Sequence, residues 1–276
     1  MTVPGPLDGR WIAVTRARAQ AGALAARLEA EGGKIAEFPT IRVGPLDDYA
    51  EADRAIDRLG DYRWIVFTSQ NGVAAFLDRL RVRGGSLRAL EHHALAAIGP
   101  ATTGALRARG LRVDLAPTEF IAEALVEAFA GGSSAGPGRH TRLRGARVLL
   151  PRALEARSVL PEGLRALGAL VDVVPVYRTE AERAQSPAVR RRLLDGEVDA
   201  VTFTSSSTVR GFVEVLGPEA PRVAGRALIA CIGPVTAATA RECGLPVGVV
   251  ARDYTIPGLV AALRERLGRA VPAADR

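Results

Sequence analysis

Short apolar runs recur along the chain, each followed by a stretch in which leucine and alanine return at helical spacing. WIAVT (11–15), RWIVFT (63–68), ALAAI (94–98), RVLLP (147–151), DAVTFT (199–204) and LIACI (228–232) have strand length and are apolar at consecutive positions. After the first and fourth of these come Leu24 and Leu28, or Leu160, Leu164 and Leu167, spaced for one face of a helix. Gly32 and Gly168 stand where a C′ glycine ends such a helix. Strands that lack polar alternation and alternate with helices predict parallel sheets covered on both faces, hence an α/β fold.

The pattern also repeats. Residues 9–43 align without gaps on 145–179 at an offset of 136, with nine of 35 positions identical, among them Gly9/Gly145, Arg16/Arg152, Gly32/Gly168, Pro39/Pro175 and Arg42/Arg178. At the same offset VFTSQNGV (66–73) falls on TFTSSSTV (202–209), and Phe76 on Phe212. At offset 134, ALAAIGPATTGALRARGLRV (94–113) falls on LIACIGPVTAATARECGLPV (228–247), and Phe120 through Val126 on Tyr254 through Val260. Four collinear matches point to an internal duplication, which predicts two doubly wound α/β units. GGSSAGPGRH (131–140) reads as a loose connection, and residues 1–8 and 268–276 as loose ends.

Composition narrows the function classes. The chain has 276 residues, 48% hydrophobic and 24% charged, enough for about two domains without staples. Cys231 and Cys243 are the only cysteines, too few for a disulfide framework, and both read as core thiols in a reducing, cytoplasmic setting. No apolar run approaches the roughly 18 residues of a membrane span. The N-terminus lacks the basic and apolar regions of a secretory signal. The net charge is +7 and Lys34 is the only lysine among 37 basic residues. An arginine excess suits an anionic partner, because guanidinium groups pair bidentately with carboxylate and phosphate. It also fits a chain whose arginines are merely solvated. Aromatics at 5% and the lack of a long basic block argue against nucleic acid.

Candidate chemistry gathers after the strands. In open α/β sheets, ligands bind beyond the carboxyl ends of the strands, at helix N-termini. Thr68-Ser69-Gln70-Asn71 and Thr204-Ser205-Ser206-Ser207 follow one matched pair of strands. Gly99-Pro100-Ala101-Thr102 and Gly233-Pro234-Val235-Thr236 follow the next, and Arg16 and Arg152 the first. Each hydroxyl could be a bare helix cap; together they describe an anion-receiving edge in both halves. GxGxxG, GxxxxGKS and GxSxG are all missing. His92, His93 and His140 fall in connecting segments, and no carboxylate pair or metal-ligand cluster stands out.

VFTSQNGV, AIGPATTGAL, VLLPRALEARSVLPEGLRALGALVDVVPVYRTE, DAVTFTSSSTV and IACIGPVTAATARECG together closely resemble the uroporphyrinogen-III synthase family, over about residues 9–265. The resemblance implies two flavodoxin-like domains joined by a two-stranded β-ladder, with the active site in the cleft between them. It implies a discontinuous domain 1 (1–38 and 180–276), a domain 2 (45–172) and linker strands at 39–44 and 173–179, the ladder being AEFPTIRV and DVVPVYRT. The implied reaction is cyclisation of hydroxymethylbilane, a linear tetrapyrrole with eight carboxylates, to uroporphyrinogen III. Water is lost and ring D is inverted through a spiro intermediate. Such an enzyme must above all fold and confine a flexible polyanion, which fits the scarcity of catalytic side chains.

By the same resemblance Tyr177 is the catalytic candidate, assisting departure of the hydroxyl as water; its partner in the repeat is Ile41. By family position Ser69, Thr102, Ser205 and Thr236 are the implied substrate-binding residues; Gln70 and Ser206 stand beside them in the polar stretches, and Arg16, Arg152 and Arg178 are candidate carboxylate partners from their places in the chain, or equally ordinary surface arginines. A basic residue that some members carry near the last strand is matched here by Leu228, with Arg226 as a possible substitute. No metal or cofactor is implied. The expected partner is hydroxymethylbilane, with transient hand-over from hydroxymethylbilane synthase, and the expected state is a cytoplasmic monomer without nucleic acid or membrane. The competing reading is a non-catalytic cytosolic two-lobe binder of a small polyanion.

Overall fold

The structure is a computed structural model that describes residues 5–131 and 143–268. Most of the connection at 131–140, with His140, and most of the two ends lie outside the described residues. In chain order come β1 (Trp11–Val14), α1 (Arg18–Ala30), β2 (Lys34–Glu37) and β3 (Ile41–Gly44). There follow α2 (Ala50–Asp57), β4 (Trp64–Phe67), α3 (Gln70–Val82), β5 (Ala94–Ala97), α4 (Pro100–Arg107) and α5 (Ala122–Phe129). Then come β6 (Arg147–Ala153), α6 (Val159–Ala166), β7 (Leu170–Ala181), α7 (Pro187–Asp195), β8 (Ala200–Phe203) and α8 (Ser206–Leu216). The chain closes with α9 (Ala220–Ala224), β9 (Leu228–Cys231), α10 (Pro234–Glu242), β10 (Val247–Val250) and α11 (Ile256–Leu267).

These elements form two compact units, one from residues through Arg42 plus those from Glu180 on, the other from Val43–Thr179. The first holds a sheet of order β10-β9-β8-β1-β2, all of its pairs parallel. The other sheet has the order β3-β7-β6-β4-β5, with parallel pairs from β7 through β5; β4, β5 and β6 lie in the second unit, whose boundaries fall within β3 and β7. Four neighbouring strands of one sheet, β9-β8-β1-β2, match in the repeat alignment the four strands β5-β4-β6-β7 of the other.

Each sheet is buried on both faces, which explains the unbroken apolar runs. In the first unit Ala13, Val201, Phe203, Ile229 and Cys231 point to one side, onto Phe212 and Ala237. Ile12, Val14, Ala200 and Ala230 point to the other, onto Leu24 and Leu28 of α1 and Leu259 and Leu263 of α11. In the second unit Ile65, Phe67, Leu149 and Val174 meet Val73, Phe76 and Leu77 of α3. Trp64, Val66, Val148 and Leu150 meet Leu125, Phe129, Leu160 and Leu164 on the far side. Trp64 and Phe129 are stacked edge to face with centroids 4.8 Å apart.

The predicted glycine stops are observed. Gly32 (φ 92°) and Gly168 (φ 87°) are left-handed and follow the C-caps of α1 and α6. The amides of Gly32 and Gly33 return to the carbonyls of Glu29 and Leu28, both at 2.9 Å; those of Gly168 and Ala169 return to Arg165 and Leu164. Both helices therefore close with a Schellman motif.

Candidate functional site

Because β2-β1-β8-β9-β10 of one sheet and β7-β6-β4-β5 of the other run parallel, each set gathers the residues that follow its strands at one carboxyl edge. In the second unit that edge carries Ser69 and Gln70 after β4, Thr102 after β5, Arg152 near the end of β6 and Tyr177 on β7. Ser69 is the N-cap of α3, its hydroxyl oxygen accepting the Gly72 N–H at 3.0 Å. The same oxygen lies 3.0 Å from the Tyr177 phenol oxygen. Pro100 is the first residue of α4, where a missing N–H costs nothing, and Thr102 is buried in the first turn.

Tyr177 is 8% exposed. The register between β6 and β7 slips beside it: Arg152 pairs with Pro175, but Ala153 pairs with Tyr177, so β7 carries one extra residue, Val176. Such a bulge re-aims the side chain that follows it. Burial raises the pKa of the phenol, while hydrogen bonds with Ser69 and Asn71 and the charge of Arg152 draw it back down. Arg152 is 7% exposed and donates to the Arg157 carbonyl at 2.6 Å. Tyr177 and Asn71 both border a pocket of about 370 Å³, lined also by Tyr49, Arg79 and Val176.

In the first unit the carboxyl edge carries Arg16 after β1, Ser205 and Ser206 after β8, and Thr236 after β9. Ser205 caps α8 in a reciprocal box with Thr208 and lies 2.9 Å from the Ser207 hydroxyl. Ser206 meets the Thr239 hydroxyl at 2.7 Å, and Thr236 is buried in the first turn of α10. Among the described residues Arg16 reaches only the Gln20 amide oxygen, at 3.4 Å, and its Nε is buried without a partner. That burial lowers its pKa. Arg16 is thus the more weakly satisfied of the two matched arginines, and an entering carboxylate would satisfy it best.

Other expectations fare differently. Arg226 and Leu228 precede or open β9, which puts them at the amino edge of their sheet, opposite Ser205 and Thr236. Arg226 therefore does not replace a basic residue at the carboxyl edge. Arg178 is held by Asp47 at 2.6 Å. His92 and His93 lie in a turn before β5, and His93 bonds the Tyr62 carbonyl through Nδ1. Cys231 is fully buried and its thiol is pushed up to about 12, which removes it as a nucleophile at neutral pH. Cys243 is only partly buried, at the end of α10. Among the described residues no group of three or more His, Cys, Asp or Glu is arranged to hold a metal ion. None of the described helices is long and apolar enough to cross a membrane. The sequence pattern places Asn71 in the polar stretch after β4 without giving it a role, and it does not point to Thr239. Only their places in first or second turns after a strand hint at them.

Fold and edges together define a two-unit α/β protein that presents hydroxyls and arginines at the carboxyl edge of each sheet, a class suited to an anionic ligand. Residues 22–261 match the family model described as uroporphyrinogen-III synthase HemD. The uroporphyrinogen-III synthase of Synechococcus elongatus is 34% identical over 266 residues, covering 94% of this chain and 96% of that protein. That of Chlorobaculum parvum is 27% identical over 258 residues, covering 93% and 98%. Among solved structures, a mutant uroporphyrinogen III synthase from Thermus thermophilus shares the fold with a TM-score of 0.65 at 20% identity, covering 95% of this chain and all of that one. The Helicobacter pylori uroporphyrinogen-III synthetase does so at 0.55 and 17%, covering 91% and 97%. The chain belongs to the uroporphyrinogen-III synthase family.

Proposed function

We propose that the chain cyclises hydroxymethylbilane to uroporphyrinogen III, with loss of water and inversion of ring D through a spiro intermediate. Family membership over residues 22–261 carries this reading. The Tyr177 phenol at a polar carboxyl edge supports it. Tyr177 gives its proton to the departing hydroxyl. Arg16, Arg152, Ser69, Gln70, Thr102, Ser205, Ser206 and Thr236 receive substrate carboxylates through guanidinium, hydroxyl or backbone N–H groups. The unsatisfied Nε of Arg16 favours such a role most directly. The work required is mainly orientation: a linear tetrapyrrole has many conformers, and only a folded one delivers the inverted product.

We further read the two units as duplicated, flavodoxin-like domains, with 39–44 and 173–179 as linker strands joining them. Strand order in the first unit, second-first-third-fourth-fifth along its chain, is that of a flavodoxin-like sheet. The four matched strands of the second sheet repeat the same order, which supports duplication. A cytoplasmic, monomeric state and transient hand-over from hydroxymethylbilane synthase belong to the same proposal. The free thiols Cys231 and Cys243 favour a reducing compartment.

The test is product analysis. Incubation with freshly generated hydroxymethylbilane, oxidation and separation of isomers should give type III uroporphyrin. Type I alone at every enzyme concentration overturns the assignment.

A further inference from the structure

Matched places in the two units are built differently. In the first, a Cβ on Gly211 of α8 would lie 2.4 Å from the Thr40 carbonyl oxygen and 2.8 Å from Ile41 Cγ2, so helix and chain are in close contact there. At its offset of 136, the repeat alignment sets Ala75 of α3 against Gly211, and Val176 and Tyr177 against Thr40 and Ile41. In the second unit these three residues instead border a pocket of about 370 Å³, whose lining lies wholly within that unit. The phenol and the pocket occur together, at one of the two matched places.

The walls of this pocket suit an uncharged ring. Ala74, Ala75 and Val176 line it, and Val43 and Val82 at its border are two of the five large apolar side chains left exposed among the described residues. Its charges are balanced: Arg79 donates to Asp53 at 2.5 Å through Nε and Nη2, and Asp78 pairs with Arg81 at 3.3 Å. Asp53 thereby holds the Arg79 guanidinium over the Tyr49 ring, 4.6 Å from its centroid, which fixes one wall before any ligand arrives. Ligand pockets run from about 300 to 1,000 Å³. This one stands at the lower end, with room for one substituted ring rather than four.

We infer that the pocket seats the pyrrole ring bearing the hydroxymethyl group, which brings the departing hydroxyl to the Tyr177 phenol. The inference rests on the function and on the Tyr177 role proposed above. With one ring held, the other three stay outside, where the last is free to turn over.

Filling the pocket from α3 tests this. Ala74 is half-buried at the pocket wall, and leucine is nearly as good a helix former as alanine. Kinetics on fresh hydroxymethylbilane with Ala74→Leu, Tyr177→Phe and the double variant are read beside thermal unfolding and isomer analysis. We expect Ala74→Leu to lower kcat/KM about tenfold with Tm held. Tyr177→Phe should then cost less in the Ala74→Leu background than alone, because a ring kept out of the pocket no longer reaches the phenol. Unchanged kcat/KM in Ala74→Leu, or the full Tyr177→Phe loss in both backgrounds, overturns the seating and leaves the synthase reading standing. Wild-type kcat/KM in Tyr177→Phe overturns the proposed role of Tyr177, and the seating with it. Type I product alone from the wild type overturns the synthase reading itself. Should Ala74→Leu not fold, Val43→Phe narrows the pocket from β3, at a side chain already 40% exposed, and is read through the same cycle.

Discussion

A Cβ on Gly211 would lie 2.4 Å from the carbonyl oxygen of Thr40. Helix α8 therefore presses its backbone onto the segment that leads from β2 into β3. Thr40 is tied there further, its hydroxyl donating to the Thr208 carbonyl at 2.8 Å and its own carbonyl accepting the Glu182 N–H at 3.0 Å. This is the last stretch of the first unit before the chain crosses into the second.

Gly211→Ala should accordingly destabilise the protein by about 2 kcal/mol, as overpacking against backbone does. Gly104 is a control inside α4, exposed and with open space around its Cα. Gly104→Ala should stabilise by roughly 0.5–1 kcal/mol. Urea unfolding of the two variants reads both signs.

Tyr177→Phe removes the proton donor and leaves the ring. Turnover should fall at least tenfold or so while KM moves little, because the lost contact strengthens only as the hydroxyl departs. Steady-state assays with isomer analysis decide it; a change confined to KM would make Tyr177 a binding residue only.

Arg16→Gln should raise KM about tenfold with a smaller effect on kcat, since a charged hydrogen bond to a carboxylate is lost. Its stability should hold, because among the described residues this guanidinium has only the 3.4 Å contact to Gln20. Arg152→Gln should instead lower Tm, as it strips the Arg157 carbonyl of a 2.6 Å donor in a buried setting. Paired calorimetry and kinetics separate the two arginines.

Asp53 accepts two hydrogen bonds of 2.5 Å from Arg79, which joins α2 to α3 and stacks over Tyr49 at 4.6 Å. The hydrogen bond from Arg79 holds the Asp53 carboxyl below its ordinary value. A carboxyl depressed in the folded state contributes stability above its unfolded pKa, about 4, and loses it as pH falls through the folded value. The Tm difference between wild type and Asp53→Asn should therefore stay constant from neutral pH to about 5 and close below about 4. A gap that persists at low pH would mean that the pair acts through packing alone.

Local features of this fold can be read from single segments. Apolar runs mark the strands, and Gly32 and Gly168 end their helices because a left-handed turn favours glycine. Pro100 and Pro234 open helices, and Ser69 and Ser205 cap them, because the groups involved lie within one turn. Even the carboxyl-edge candidates follow from strand-then-helix order. What a segment cannot contain is the choice of neighbour across the sheet. β1 pairs with β8 and β6 with β4, and these hydrogen bonds are made between stretches far apart in the chain. The same nonlocal packing separates Arg152, fastened to a carbonyl, from its sequence twin Arg16, and leaves Arg226 at the opposite edge. It also turns Tyr177, through one extra residue in β7, onto Ser69. Side-chain direction after a bulge depends on the partner strand, and only the folded chain supplies that partner.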